Sequence, residues 1–320
     1  LKNKIVISYF CLPFDGVDEG QAIYDKNFVV SLKNIGYEVN VYPVHVKRSL
    51  GSLFPVWSRT PIGFSNDYII KAKDTFVIVS HESLSSLCDY LKPNLFIVHN
   101  LFCSFEFKSK PHIEFLYRFA SESIFRRAFD LSEHVLLLSH REKRIAEEKY
   151  NRKFICEPPG VYISNSQKMK SLSTKHFRRC GSSLWLPKRA SLIPNSVILN
   201  NFINNGVSDV NCSVNKNTHR CFGLIEDRFL SGFKLKFIQM YYDGDLILSQ
   251  SSLSDELAGL GLDKSGYLYV EDFSDLNVDS LNSIPELLLG DEDLRSRRKH
   301  LSEVYSWEAI VKRVFLKVFN

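Results

Sequence analysis

At 320 residues the chain is longer than one hydrophobic core usually supports, so two domains of roughly 150 residues each are expected. Hydrophobic residues at 44% and charged residues at 24% exclude a disordered or collagen-like chain. A formal charge of +5 favours anionic partners such as nucleotides or acidic lipid headgroups, and falls short of a nucleic-acid-binding domain.

The opening run Ile5 to Phe10 reads as a buried strand. Nearby charges and Pro13 interrupt it too soon for a signal peptide or a membrane span. Periodicity predicts a helix over Gln21 to Ile35 and strands at Glu38 to Tyr42, Thr75 to Val79 and Leu95 to Val98. A long helix over Ile113 to Phe129 follows, with Phe115, Leu116, Phe119 and Phe125 apolar and Arg118, Arg126 and Arg127 polar. Val135 to Leu138 is the next strand, Glu142 to Tyr150 a short helix, and Phe154 to Cys156 closes the half. Strands alternating with helices imply crossover connections and a parallel sheet.

Glu157-Pro158-Pro159-Gly160 stops the pattern, because two prolines and a glycine continue neither a helix nor a central strand; it marks an interdomain hinge. Ser164 to Lys175 reads as a polar loop or linker. A second alternating series then runs through strands at Phe177 to Cys180, Arg220 to Ile225, Leu246 to Leu248 and Tyr267 to Val270. Its helices are expected near Ser196 to Asn204, from Phe233, and at Ser280 to Leu289, Leu294 to Val304 and Trp307 to Phe319. Two doubly wound units facing across a hinge place a ligand in the cleft between them. The seven cysteines are scattered with no CxxC pair, which argues against zinc and against a disulfide framework, and for a reducing, cytoplasmic setting. No segment reaches the roughly 18 uninterrupted apolar residues of a membrane span.

The most telling stretch is Ser231-Gly232-Phe233-Lys234-Leu235-Lys236, entered from the strand at Cys221 to Ile225. A Ser-Gly turn at a helix start leaves backbone N–H groups unpaired, and the helix dipole adds positive potential, so the place suits a phosphate. Lys236 adds a point charge there, with Lys234 as an outer candidate. A capped helix with a basic, solvated face has the same pattern.

Further motifs follow a consistent order. Gly16-Val17-Asp18-Glu19-Gly20-Gln21 forms a glycine loop after the first strand, and Gly36-Tyr37-Glu38-Val39 leads into the second. Glu133 to Ser139 and then Glu157-Pro158-Pro159-Gly160-Val161 lead into the second half, where Cys180-Gly181-Ser182-Ser183 follows the first strand. Ser231 to Gln239 and Tyr305-Ser306-Trp307-Glu308 complete the series. In this order the motifs resemble a GT-B glycosyltransferase of the retaining, nucleotide-sugar-dependent "group 1" superfamily. The resemblance implies an α/β fold class: two Rossmann-like domains facing across a cleft, with the C-terminal helix returning to the first domain. Residues 1–158 would form the acceptor domain, 159–305 the nucleotide-sugar donor domain, and 306–320 the returning helix.

It also implies roles. Ser231, Gly232 and Lys236 would hold the donor diphosphate, Gln239 the ribose, and Gly181 and Ser182 the far wall of the pocket. Lys188 would reach a phosphate or lie on a solvated turn. Gly16, Glu19, Gly20 and Asn100 would meet the acceptor, and His99, at a strand end, the sugar; a hydrogen-bonded loop histidine is the plain alternative. His81, with Glu82 beside it, is a second candidate. No cofactor and no metal are implied, because N–H groups and lysine supply the positive charge. The expected partners are a nucleotide-sugar donor and a glycan or lipid-linked acceptor of surface polysaccharide biosynthesis, without nucleic acid. The face bearing Lys108, Lys110, Arg118, Arg126 and Arg127 would meet an anionic membrane, at the inner side of the plasma membrane, or would be an ordinary charged helix surface. The family's E-x7-E glutamates are Ser231 and Gln239 here, and the second half is short. These departures leave a second reading: a degenerate GT-B protein that binds nucleotide or glycan as a partner subunit without turnover.

Overall fold

The apolar runs of the first half become neighbouring strands of one sheet. A computed structural model of the chain describes residues 5–14, 20–48, 59–62, 64–101, 111–163, 172–180, 208–209, 220–225, 235–271 and 290–320. Strand β1 (Val6–Cys11) leads to helix α1 (Gly20–Asn34) and β2 (Glu38–Pro43). The antiparallel pair β3 (His45–Arg48) and β4 (Arg59–Ile62), helix α2 (Asn66–Ala72) and β5 (Phe76–Ser80) follow. A 3₁₀ turn at Glu82–Leu87, α3 (Cys88–Leu91), β6 (Leu95–Val98), α4 (Pro111–Leu131), β7 (His134–Leu137), α5 (His140–Tyr150) and β8 (Ile155–Cys156) complete this half. The sheet order is β2-β1-β5-β6-β7-β8, with every pairing parallel.

Both faces of this sheet are covered, which is why its strands read as continuous apolar runs. Along β1, Ile7, Tyr9 and Cys11 join the core under α1, whereas Phe10 joins the core that holds Phe125 and Phe129 of α4.

The second sheet is built from β9 (Leu172–Cys180), β10 (Ser208–Asp209), β11 (Arg220–Ile225), β12 (Leu246–Ser249) and β13 (Tyr267–Tyr269), in the order β10-β9-β11-β12-β13, all parallel. Helices α6 (Leu235–Asp243), α7 (Ser254–Gly259), α8 (Asp291–Val304) and α9 (Trp307–Phe319) accompany it. The expected loop over Ser164 to Lys175 needs correction, because β9 already begins at Leu172. Its polar sequence hides a strand that pairs on both sides. The helices expected at Ser196 to Asn204 and Ser280 to Leu289 lie outside the described residues.

Helix α9 packs against elements of the first sheet. Phe315 meets Tyr37 and Phe76 at ring-centroid distances of 4.9 and 5.4 Å, and Asn34 donates to Glu308 at 3.0 Å. Buried Glu157, just past β8, takes Arg313 at 2.8 Å and Lys317 at 2.6 Å. Gly160 is required by close approach, since a Cβ there would lie 2.6 Å from the Trp307 ring. Val161 N–H donates to Tyr305 O at 2.9 Å, so the chain leaving the first half is tied to the chain that returns.

Candidate functional site

Strand order in the first sheet reverses between β1 and β5, and the carboxyl ends of strands at such a point form the usual ligand crevice of a doubly wound sheet. Four polar side chains converge there. Asp25, fully buried on α1, accepts from the Tyr9 hydroxyl at 2.7 Å and from Ser80 Oγ at 2.5 Å, both on Oδ1. His99, the residue after β6, sets Nε2 at 3.0 Å from Ser80 Oγ and 3.7 Å from the same carboxylate oxygen. The Ser80 hydroxyl gives its proton to Asp25, so towards His99 it accepts. That places a proton on His99 Nε2. Burial pushes the Asp25 carboxyl up, but His99, Ser80 and Tyr9 outweigh it and hold it below the ordinary carboxylate range. Burial, then Asp25, drive the Tyr9 hydroxyl well above its ordinary value, so it stays a donor.

The backbone around this cluster is held by further carboxylates. His81, the residue after β5, has φ 91°, a left-handed conformation that bulky side chains rarely adopt. The kink folds Glu82 back under the loop after β6. Glu82 Oε2 accepts the N–H groups of His99 and Asn100 at 3.1 and 3.3 Å, and Oε1 accepts the Asn100 amide at 3.0 Å. The next N–H, of Leu101, goes to Glu142 at 2.9 Å. Burial raises the Glu82 carboxyl, yet His81, His99 and Asn100 hold it below the usual range. The segment therefore offers an oriented imidazole and no spare N–H groups for an anion. His81 is turned inward, with Nδ1 accepting from Ser83 N–H at 3.0 Å and Nε2 at 3.5 Å from Glu82.

The second sheet reverses order at β9, so its crevice opens at the ends of β9 and β11. In sequence, the expected donor residues Gly181 and Ser182 follow Cys180, and Ser231 and Gly232 fall between β11 and α6. The two sheets' helices meet alongside. Glu256 of α7 accepts from Ser139 Oγ at 2.5 Å, from His140 N–H at 3.0 Å and from Arg141 N–H at 3.4 Å, at the start of α5. Burial pushes this carboxyl up to about 7 in spite of those donors. Arg144 reaches Asp255 at 2.8 Å beside it.

No protein-family model matches the sequence, and no curated protein matches it. Solved structures do match along the whole chain. Sucrose-phosphate synthase from Thermosynechococcus elongatus is 11% identical and covers 99% of each chain with a TM-score of 0.61. HepE from Anabaena, solved with UDP and glucose, is 8% identical, covering 98% of this chain and 99% of that one at a TM-score of 0.56. A glycosyltransferase from Rickettsia africae is 8% identical, covering 99% and 98%, at 0.51. The fold is GT-B.

Within the GT-B frame the predicted residues separate into groups. His99 and Asn100 stand together at the first crevice, the former on Asp25 and Ser80, the latter on Glu82. Gly20 is the first residue of α1. Lys236 belongs to the first turn of α6. Gln239, expected on the ribose, accepts Tyr162 N–H on Oε1 at 2.9 Å, and its Nε2 donates to Tyr162 O at 3.4 Å and to Asp243 Oδ1 at 3.3 Å. Gly16, Glu19, Gly181, Ser182, Lys188, Ser231, Gly232 and Lys234, and the side chain of Lys236, lie outside the described residues. Sequence reasoning missed Tyr9, Asp25 and Ser80. Asp25 had a signal: it stands among Tyr24, Phe28, Val29 and Leu32 on the buried side of its helix.

Proposed function

We propose that this chain is a glycosyltransferase that moves a sugar from a nucleotide-diphosphate sugar to a glycan or lipid-linked acceptor. The observation that carries the reading is the end-to-end likeness to GT-B structures, one of them solved with UDP and glucose. The oriented His99 imidazole at the first crevice supports it. In the transfer, the acceptor oxygen bonds to the anomeric carbon as the bond from that carbon to the diphosphate oxygen breaks. The bonding electrons leave with the diphosphate. In a retaining, front-face route the acceptor proton passes to that leaving phosphate, so no side-chain base is needed. His99 Nδ1 then accepts a hydroxyl hydrogen bond and fixes the sugar. The backbone of Ser231 and Gly232 with Lys236 neutralises the diphosphate without a metal.

A surface-polysaccharide role at the inner membrane face is part of the same proposal. Phe115 and Phe119 of α4, 67% and 64% exposed and stacked at 6.3 Å, support contact with a lipid surface, and Arg126 and Arg127 lie exposed on the same helix. Among the described residues no helix is long and apolar enough to cross a membrane.

Replacing Lys236 tests the assignment. Lys236→Ala is expected to slow nucleoside-diphosphate release by about a hundredfold, the scale of one lost electrostatic contact to the transition state; unchanged release removes the phosphate role. The engagement of Gln239 with Tyr162 favours a second reading, a partner subunit that binds without turnover. Calorimetric binding of nucleotides, with no turnover across donors and acceptors, would select it.

A further inference from the structure

Gln250, the residue after β12, carries an idle amide. It is 4% exposed, and among the described residues neither side-chain Nε2 nor Oε1 has a hydrogen-bond partner. The loop around it is fixed by other groups. Gln250 N–H donates to Ile225 O at 3.1 Å, binding the loop to the end of β11. Ser249 Oγ donates to Ser251 O at 2.8 Å and accepts Ser251 N–H at 3.1 Å. The Tyr267 hydroxyl accepts Leu253 N–H at 2.9 Å and donates to Ser251 O at 3.2 Å. The segment thus needs nothing from the Gln250 side chain, yet holds it in place. A buried amide left without partners is destabilising, and in native proteins a water, an ion or a ligand completes it.

Its position fits a ligand. Gln250 stands at the carboxyl edge of the second sheet, bonded to the end of β11, in the loop from β12 to α7, whose Glu256 reaches α5. Its chemistry narrows the class. A side-chain amide presents an acceptor oxygen and a donor NH₂ side by side. A phosphate carries no proton for the oxygen, and an ammonium offers nothing to the NH₂. A vicinal diol serves both, one hydroxyl donating to Oε1 while its neighbour accepts from Nε2.

We infer that the Gln250 amide binds a vicinal diol of the nucleotide-sugar donor, an assignment that rests on the glycosyltransferase reading above. Gln239, by contrast, already spends its amide on Tyr162. Two sugars of the donor carry such a diol, the ribose and the transferred hexose.

Calorimetry with UDP-glucose, UDP and 2′-deoxy-UDP, on the wild type and on Gln250→Met, separates them; GDP-glucose, GDP and 2′-deoxy-GDP are used if the uridine series does not bind. Met keeps the length and removes both polar atoms. A weakening of about tenfold for UDP-glucose alone assigns the hexose diol. The same weakening for UDP-glucose and UDP, but not for 2′-deoxy-UDP, assigns the ribose. Equal weakening of all three, or of none, overturns the inference while leaving the glycosyltransferase reading in place. Failure of the wild type to bind any nucleotide or nucleotide sugar overturns that reading, and this inference with it. A melting temperature for Gln250→Met equal to or above the wild type is expected, because an unpartnered buried amide has been removed. A marked drop would reveal a structural role and count against a ligand-binding one. If Gln250→Met does not fold, Gln250→Ala takes its place in the same titrations.

Discussion

Asp25 is a carboxylate on the apolar side of a helix, and it survives there because three partners from three strands reach it. Tyr9 and Ser80 donate to one oxygen, and His99 stands 3.7 Å from it. Remove the carboxylate, and two hydroxyls and an imidazole are left buried without their common partner. Asp25→Ala is therefore expected to destabilise the chain by about 3 kcal/mol or more, read as a fall in the urea midpoint. The acid limb gives the sign. The Asp25 carboxyl is held below its ordinary range in the folded chain, so its stabilisation is complete above that range and is lost as the pH falls through it. Asp25→Asn should flatten that limb, and a profile that superposes on the wild type would contradict the network. His99 was legible in sequence because the apolar run Leu95 to Val98 stops at it. Its partners were not, because only the parallel pairing of β1, β5 and β6 brings Tyr9, Ser80 and His99 together.

At the level of elements, what the sequence discloses follows burial. Leu95–Val98, Arg220–Ile225 and Trp307–Phe319 have the bounds that their apolar patterns predict, because strands or a helix buried in a core must be apolar where they pack. Strand β9 begins earlier than its composition implies, and the 3₁₀ turn at Glu82–Leu87 carries no apolar period at all. The contact of α7 with α5 was equally hidden, since nothing local marks Glu256 as the partner of a distant helix start. It makes a clear pH prediction. The Glu256 carboxyl rises from its usual 4.5 to about 7 on burial, so the stability present below the ordinary carboxylate range is lost as the pH rises through about 7. Urea midpoints measured between pH 5 and 8 should fall in the wild type and fall less in Glu256→Gln. Parallel profiles would show that this carboxylate is already ionised in the folded protein.

Across the molecule, the described couplings between the two parallel sheets include Glu256 on α5, Gln239 on the chain after Gly160, and α9 on α1 and β5. Glu157, with Arg313 and Lys317, locks the last helix to the end of the first sheet. The proposed binding surfaces are the carboxyl edges of the two sheets, one beside His99 and one preceding the helix whose first turn contains Lys236. The GT-B fold and the returning last helix were legible in the order of motifs, because Gly, Pro and Ser punctuate the apolar runs. The most direct test is nucleoside-diphosphate release from a panel of UDP-, GDP- and TDP-sugars with glycan acceptors, comparing the wild type with His99→Ala. The predicted result is release by the wild type, slowed roughly a hundredfold in His99→Ala. Release from no donor, or equal rates in the two proteins, would contradict it.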